Sequence, residues 1–344
     1  MLREKTVFVV GAGASREFGL PMGAELIDHI CQILKFRSGY NNFEGDPEAY
    51  QAVRSLSERG EELNAVLQAC RAIEQGAPLF MSIDHFVNTH EKDRFIVDVA
   101  KVAIGYAILR AEAQSKLMVD YRNVTNLLNV RKIDDTWITR LVRMISSGLK
   151  LDALADIFSR SSFICFNYDR CIEHFLWNAV RVMYRLSEPD ANSLMSTLQI
   201  VHPYGVIGHL PWQTRDGGIY FGQTEHVNHK NIASRIRTFT EQNKDKSLTL
   251  QIDQMMNDND RVVFLGFGYY EQNMEIIKAD FAYKEAMGTT YGMSSHDVAI
   301  VKEVITDALG KREQIGKGYE PKITLASATC TDFFDQFTRT LAKV

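Results

Sequence analysis

The sequence predicts an α/β protein with a doubly wound parallel sheet and a mostly helical insertion. Three observations indicate this fold class. Short runs rich in β-branched and aromatic residues are apolar throughout, as in strands that are buried on both faces. Most of these runs precede a segment with helical periodicity, and alternation of strand and helix is typical of a parallel sheet. Between residues 36 and 159, by contrast, apolar residues recur at helical spacing and few β-rich runs occur.

The first predicted strand and the first predicted helix are separated by a loop of small residues. Thr6–Val10 reads TVFVV and is expected to be a strand buried on both faces. Residues 11–15, with the sequence GAGAS, follow as a loop, and residues 23–34 have helical periodicity. In the insertion, helical spacing is found in residues 52–67, 95–111 and 137–158.

Alternation of strand and helix resumes after residue 160. The predicted strands are residues 162–166, 199–202, 218–221, 261–265, 289–293 and 322–326. The predicted helices are residues 171–184, 272–282, 298–309 and 332–341. We therefore expect residues 1–35 and 160–344 to form one core around a parallel sheet, and residues 36–159 to form the helical insertion.

Composition and charge narrow the class of protein. Hydrophobic residues make up 45% and charged residues 24% of the 344 residues, as in globular proteins, which excludes a largely disordered chain. The net charge of −4 argues against a protein whose main role is to coat nucleic acid, and we expect no direct nucleic-acid binding. Because no apolar stretch is long enough to cross a bilayer, we expect no membrane contact and a cytoplasmic location.

The cysteines argue against a disulfide scaffold and against a four-cysteine zinc site. Their number is odd, and no two of them have CxxC spacing: Cys31, Cys70, Cys165, Cys171 and Cys330. This usage fits a reducing compartment. The pairs His85/His90 and His226/His229 have spacings that would suit a metal, but no cysteine or carboxylate cluster accompanies them, so we predict no metal site.

Small residues at the end of the first strand predict a site for a diphosphate. They are Gly11, Ala12, Gly13, Ala14 and Ser15. Small side chains let the backbone approach phosphates, and free N–H groups before a helix favour negative charge. The motif is not GxGxxG, because Arg16 stands at the third glycine, and no acidic residue ends a second strand about 20 residues later. A tight turn that needs glycine is the alternative, but the nearby Gly19 and Pro21 favour dinucleotide binding.

Asn167 and Asp169 follow the second strand of the predicted sheet. In open α/β sheets, ligands bind outside the carboxyl ends of the strands. Asn167 offers amide donors and an acceptor, and Asp169 offers a carboxylate, within the segment FNYDR. An alternative of about equal weight is that both residues turn the chain and cap the next helix.

Two further motifs end predicted strands. His202 begins the segment HPYG, and the following Pro203 biases it towards an extended conformation that presents the imidazole at the strand tip. Taken alone, such a histidine is more often structural. Residues 266–270 read GFGYY and form a second glycine-rich strand end, which taken alone indicates a simple turn.

Together, the four motifs resemble the sirtuins. VFVVGAGASREFGLPMG is similar to their phosphate loop, FNYD to their T-Q-N-I-D segment, HPYG to their catalytic H-G and GFGYY to their G-T-S/G-Y-S loop, in the same order. The chain lacks the CxxC pairs of the sirtuin zinc module, residues 21–23 replace P-x-F-R, and Pro203 separates His202 from the glycine. The pattern resembles instead the sirtuin-like NAD hydrolases of bacterial antiphage defence, which lack zinc and carry a helical insertion.

This resemblance implies a Rossmann-like, sirtuin-type core that uses NAD+ as a substrate, without zinc, and releases nicotinamide and ADP-ribose. It assigns catalysis to Asn167, which would orient water or hold the ribose hydroxyls, and to His202, which would act as the general base. The residues that would bind the dinucleotide are Gly11, Ala12, Gly13, Ala14, Ser15, Asp169, Gly266, Phe267, Gly268 and Tyr269.

The resemblance also implies an NAD-depleting effector that forms a homo-oligomer and pairs with a HerA-type ATPase. Two alternatives stay open. One is a regulatory module that senses NAD or ADP-ribose without turnover, and the other is a zinc-free NAD-dependent deacylase or ADP-ribosyltransferase. Asp84 in the insertion is interpreted either as a helix cap or as a group that reaches the site, and we favour the cap.

Overall fold

The computed structural model describes residues 1–38, 43–57, 60–123, 127–215, 218–278, 285–309 and 322–343. The strands in chain order are β1 (Thr6–Val10), β2 (Arg37–Ser38), β3 (Phe43–Glu44), β4 (Ser161–Cys165), β5 (Gln199–Val201), β6 (Arg261–Leu265), β7 (Glu285–Thr289) and β8 (Lys322–Ala326). Strands β2 and β3 pair as a short antiparallel ladder, and the other six form one sheet.

The helices are α1 (Ala12–Ser15), α2 (Gly23–Ile33), α3 (Pro47–Arg54), α4 (Gly60–Gly76), α5 (Ile83–Thr89), α6 (Arg94–Gln114), α7 (Val130–Ile133), α8 (Trp137–Ser146), α9 (Cys171–Tyr184), α10 (Glu188–Met195), α11 (His229–Ala233), α12 (Phe239–Lys244), α13 (Lys246–Asn257), α14 (Glu271–Ile276), α15 (Ser295–Leu309) and α16 (Cys330–Leu341). Short 3₁₀ turns are Arg16–Phe18, Ala77–Leu79, Leu151–Asp156 and Pro211–Gln213. No helix in this described part of the chain is both long and apolar enough to cross a membrane.

The large sheet is parallel throughout, in the order β5-β4-β1-β6-β7-β8. From the central β1 the chain builds outwards through β4 to β5, then returns to the other side of β1 and adds β6, β7 and β8. This is the strand order of the Rossmann fold, in which ligands bind where the order reverses, here between β1 and β6. The predicted α/β class with a doubly wound parallel sheet is confirmed.

Side-chain alternation along the central strands divides the core into two layers. Val7 and Val9 of β1 face one layer and Phe8 and Val10 face the other, and all four are at most 1% exposed. Helices α2 to α6, α11, α13 and α15 cover the first face, and α8, α9, α10 and α16 cover the second. Because both faces are covered, residues 7–10 of the strand are all apolar, which is the pattern that predicted it.

The middle of the chain is helical as expected, but its helices have different limits. The predicted helix over residues 52–67 is divided between α3 and α4, and the one over 137–158 ends at Ser146. Gly148 has a φ of +73°, in the left-handed region that favours glycine, and a 3₁₀ turn follows it. Helix α8 packs on α9 and α16 in the second layer. The division into a core of residues 1–35 and 160–344 and an insertion of residues 36–159 stays a prediction.

Two predicted strands are wrong. Residues 218–221 are irregular, because the carbonyls of Ile219 and Tyr220 accept hydrogen bonds from the Arg170 guanidinium instead of joining a ladder. Residues 290–293 form a turn, and the strand β7 lies just before them. Its sequence, EAMGT, contains residues with weak β propensity, which hid it. Of the helix predicted over 272–282, α14 ends at Ile276, and residues 279–282 lie outside the described residues.

Candidate functional site

The loops after β1 and β6 pack against each other at the switch point of the sheet. The Gly11 N–H donates to Leu265 O and the Gly13 N–H donates to Gly266 O, each at 3.0 Å. A Cβ atom on Gly11 would lie 2.6 Å from Gly266 O, and one on Gly266, whose φ is +54°, would collide with the Ala14 backbone nitrogen. The glycines of both motifs are therefore required first for contact between two backbones, before any ligand approaches.

The expected small-residue loop is largely a helical turn. Residues 12–15 form α1, which starts directly after Gly11. Ala14 and Ser15 are buried, and the Trp137 indole N–H donates to Ala14 O at 2.9 Å. Ala12 and Gly13 are partly exposed, so they are the residues of the motif that a ligand can approach.

Asn167 joins the first two motifs. Its Nδ2 donates to Gly11 O at 3.1 Å and to Ser15 Oγ at 2.9 Å, and the residue is 7% exposed. The carboxyl ends of the paired strands β1 and β4 bring these residues to one edge of the sheet, because Val10 is the register partner of Cys165. The structure therefore places the candidate catalytic amide against the candidate phosphate loop.

Asp169 turns the chain into α9, as the alternative interpretation expected, but the N-cap position itself is held by Arg170. Asp169 Oδ1 accepts a hydrogen bond from the Cys171 N–H at 3.1 Å, at the start of α9, and Asp169 also interacts with the Ser15 hydroxyl. Burial raises the pKa of Asp169, although these two donors act in the opposite direction. Asp169 thus connects α9 to the same loop that Asn167 holds.

His202 lies beside Asn167, immediately after β5. Its Nδ1 is 2.9 Å from Asn167 O, and its Nε2 is 3.0 Å from Glu173 Oε1. The His202 side chain is only 8% exposed. Burial acts to lower the pKa of His202, but the neighbouring Cys165 and Glu173 outweigh it and hold that pKa well above 6.5. Both ring nitrogens are engaged by the protein.

The loop after β6 contributes mainly to the core. Phe267 is 4% exposed and packs on Phe166 with ring centroids 5.1 Å apart. Tyr269 is 5% exposed and its hydroxyl donates to Thr289 O at 3.1 Å. Gly266 and Gly268 keep the greater exposure. Of the four residues predicted to line the dinucleotide here, the two glycines therefore present their backbone, while the aromatic rings fill the interior.

A buried ion pair beside the site was not found by sequence reasoning. Arg170 and Glu112 are both completely buried and pair through two guanidinium nitrogens. Glu112 also accepts from the Gly222 N–H at 3.0 Å, and Arg170 donates to the carbonyls of residues 219 and 220. The only signal in the sequence was a charged residue, Glu112, near the end of the long and largely buried helix α6.

Asp84 reaches the FNYDR segment instead of capping its own helix. Ser82 is the cap of α5, since its hydroxyl accepts from the His85 N–H at 3.1 Å. Asp84 accepts a hydrogen bond from the Tyr168 hydroxyl, and burial raises the pKa of Asp84. The favoured interpretation of Asp84 as a cap is therefore wrong, because a serine one residue before α5 takes that position.

One cavity lies away from the motifs. It has a volume of about 580 Å³ and is lined by α3, by Tyr106 of α6 and by residues 224–230. Another, of about 10 Å³, adjoins Asp84 and Tyr168. Within the described ranges, no group of three or more His, Cys, Asp or Glu residues is placed to hold a metal ion. At the site formed by the four motifs, Asn167 is 7% exposed and the His202 side chain is 8% exposed, so the candidate catalytic groups are largely covered by protein.

No family model matches this chain, and no curated protein matches it.

Proposed function

We propose that this protein hydrolyses NAD+ to nicotinamide and ADP-ribose. The proposal is carried by the position of Asn167, whose amide donates to the loop after β1 and whose carbonyl lies 2.9 Å from His202 Nδ1. One residue thereby joins the candidate phosphate loop to an imidazole, next to the point where Rossmann folds bind dinucleotides.

Cleavage of the nicotinamide–ribose bond needs no general acid from the protein. Nicotinamide leaves the ribose C1′ with the bonding electron pair and becomes neutral, through an oxocarbenium-like state related to that of glycoside hydrolysis. The protein has to hold the diphosphate, position a water molecule and accept its proton. We assign the diphosphate to Gly11–Ser15 at the partly exposed Ala12 and Gly13, the water or ribose hydroxyls to Asn167, and the proton to His202.

In the proposed mechanism the resting site has to open. The Asn167 amide is bound to Gly11 and Ser15, and the His202 nitrogens are bound to Asn167 O and Glu173. Substrate binding therefore exchanges at least one protein contact at each residue for a contact with NAD+ or water. A site of this kind fits an enzyme that is inactive until a trigger acts on it.

The test is nicotinamide release by the purified full-length protein, followed by chromatography, alone and with a HerA-type ATPase. We expect Asn167→Ala and His202→Ala each to lower the rate at least about 100-fold, the usual scale for losing a general base or an orienting group. His85→Ala, which removes an exposed histidine from α5, is the matched control and should keep the rate. Equal turnover by the wild type and both site variants would reject the assignment.

A second candidate function is supported by the same engaged contacts. A site in which the Asn167 amide nitrogen and both imidazole nitrogens are engaged by protein groups suits a module that binds NAD+ or ADP-ribose and regulates a partner without turnover. Calorimetric titration with NAD+ separates the two functions when it is combined with the nicotinamide assay. Tight binding with no release, also in the presence of the ATPase, favours the sensing module.

The cellular role that we propose is depletion of NAD+ in antiphage defence by a cytoplasmic homo-oligomer paired with a HerA-type ATPase. It rests on the resemblance of the four motifs to the sirtuin-like NAD hydrolases. Cellular NAD+ measured during phage infection should fall in cells with the wild-type protein and stay constant with His202→Ala. The molar mass of the purified protein in solution, measured alone and with the ATPase, tests the homo-oligomer and its complex with the ATPase.

A further inference from the structure

Glu173 is a buried carboxylate that the proposed reaction has not yet used. It lies in the first turn of α9, is 3% exposed, and places Oε1 3.0 Å from His202 Nε2. Its other oxygen, Oε2, is buried and makes no hydrogen bond to any described residue. A buried acceptor without a partner costs about 1–3 kcal/mol, so packing alone does not account for a glutamate at this position.

The two contacts of His202 show where its protons lie. A backbone carbonyl only accepts hydrogen bonds, so Nδ1 carries the hydrogen that points to Asn167 O. Nε2 faces the Glu173 carboxylate, which accepts from an N–H when it is ionised. Each ring nitrogen thus faces an oxygen acceptor, and the raised pKa of His202 favours the imidazolium, which carries a hydrogen on both nitrogens.

The other titratable groups near His202 do not replace Glu173 in this role. Cys165 lies on β4, Asp169 follows it, and His209 lies on the loop after β5. Cys165 contacts His202 directly and contributes to the raised pKa of His202, but burial raises the pKa of the Cys165 thiol itself, as it does that of the Asp169 carboxyl. His209 carries no negative charge. Glu173 is the carboxylate that contacts the imidazole directly.

We propose that Glu173 is a positioning residue of this site, which holds the Nε2–H of His202 and thereby makes Nδ1 the nitrogen that accepts the proton in catalysis. The inference rests on the proposed function. The hydrogen bond at one ring nitrogen decides which form the other nitrogen takes. Here the carboxylate fixes the Nε2 side, while the carbonyl contact at Nδ1 is the one that water or substrate replaces.

Proton transfer begins at Nδ1 of His202. The imidazolium first loses its Nδ1 proton to solvent, while the hydrogen on Nε2 stays in place and is hydrogen-bonded to the Glu173 carboxylate. A water oxygen then forms the bond to C1′ while the C1′–N bond breaks and its electron pair leaves with nicotinamide. The proton of that water moves to Nδ1, which regenerates the imidazolium. Because His202 must first be deprotonated, the rate should rise with pH through the pKa of His202.

The first experiment measures the protonation of His202 without substrate. The pKa of His202 is followed by NMR of histidine-labelled full-length protein, in the wild type and in Glu173→Gln. Removing the carboxylate charge should lower the proton-binding constant of His202 at least about tenfold, which is one unit of pKa. His174, whose pKa burial lowers to about 3, is an internal reference that stays neutral. Glu188→Gln, which changes an exposed carboxylate paired with Arg181, is the matched control.

The second experiment measures the pH dependence of nicotinamide release. In Glu173→Gln the rise of the rate at acidic pH (the acid limb of the pH–rate profile) should move to lower pH, because a less basic imidazole loses its proton at lower pH. The variant should also lower kcat by a larger factor than it changes KM. Glu173→Asp restores the charge, so it should return the limb towards the wild-type position. If the NMR spectrum shows that Glu173→Gln does not fold, the His202 pKa and the acid limb are compared between the wild type and Glu173→Asp, whose shorter side chain makes a weaker contact with His202.

The outcomes separate this inference from the proposed function. An unchanged His202 pKa in Glu173→Gln, or an acid limb that does not move, would overturn the role of Glu173. A lowered His202 pKa in a protein that never releases nicotinamide would reject the hydrolase and leave the Glu173–His202 pairing supported. A lowered pKa together with a shifted limb supports both.

Discussion

Tyr168 and Arg170 bind parts of the chain that are far away in sequence. The Tyr168 hydroxyl donates to Asp84 on α5, and the Arg170 guanidinium pairs with Glu112 on α6. Between them, Asn167 holds the loop after β1. A segment that looks like an ordinary helix cap therefore connects the sheet edge to two helices of the predicted insertion. This is a physical route by which a change in those helices can reach the site.

At this scale we predict the effect of breaking the buried ion pair. Glu112→Gln removes the charge that faces a completely buried guanidinium, and an uncompensated buried charge costs about 3–5 kcal/mol. Urea unfolding followed by circular dichroism measures the loss. Glu188→Gln removes the same charge from an exposed carboxylate that pairs with the half-buried Arg181, and it should change the stability little. If Glu112→Gln and Glu188→Gln unfold at the same urea concentration, another group compensates the Arg170 charge.

The residues of the site were only partly predictable. Asn167, Asp169 and His202 were found because polar residues at strand ends meet at one edge of a parallel sheet. Glu112 and Glu173 were not found, because a carboxylate inside a helix gives no local signal of a distant partner. Their roles depend on pairings between helices and strands that tertiary packing creates.

At the scale of elements, the loops after β1 and β6 form one unit. Two hydrogen bonds and the contact between Gly11, Gly13 and Gly266 hold them together without side chains. A ligand at the switch point would thus meet a surface of backbone with its geometry already set, which lowers the entropy lost on binding.

We predict that Gly266→Ala breaks this unit. The substitution places a Cβ against the Ala14 nitrogen at a φ of +54°, so strain and overpacking together should cost at least about 3 kcal/mol. Gly292→Ala is the matched control, because its φ is +76° and nothing lies within 4 Å of the added Cβ, which leaves only strain of about 1–2 kcal/mol. Thermal unfolding compares the two. Similar losses would show that the loops separate at little cost.

The predictability of the elements follows from how strongly each sequence matches its environment. Strands β1, β4 and β6 are buried on both faces and read as apolar runs. Strand β7 is equally buried but contains Glu285 and Gly288, and Glu285 is accommodated by ion pairs with Arg261 and Lys322. Those partners lie on neighbouring strands, so no local pattern could have shown that a glutamate belongs in a strand.

At the scale of the whole molecule, β1 is the centre of the fold. It pairs with β4 on one side and β6 on the other, and helices cover both faces. The outer strand β8 is only partly buried. Stability against local opening should therefore decrease from β1 towards the edge of the sheet.

Hydrogen exchange measured by mass spectrometry tests this gradient. Peptides that contain residues 6–11 should exchange slowest, by global unfolding alone, because their N–H groups are bonded within the sheet and to Leu265. Peptides that contain residues 322–326 should exchange faster through local opening. Uniform exchange across the six strands would contradict the gradient and indicate one cooperative unit.

The hydrogen bond from the Gly13 N–H to Gly266 O has a consequence for biosynthesis. A ribosome has to deliver the chain as far as β6 before the loop after β1 gains the partner that shapes it, and pairing across so long a stretch forms late. Nascent polypeptides that end between His202 and β6 contain Asn167 and His202, but their loop after β1 lacks its partner. For the proposed hydrolase, this order of assembly withholds activity until β6 has been synthesised.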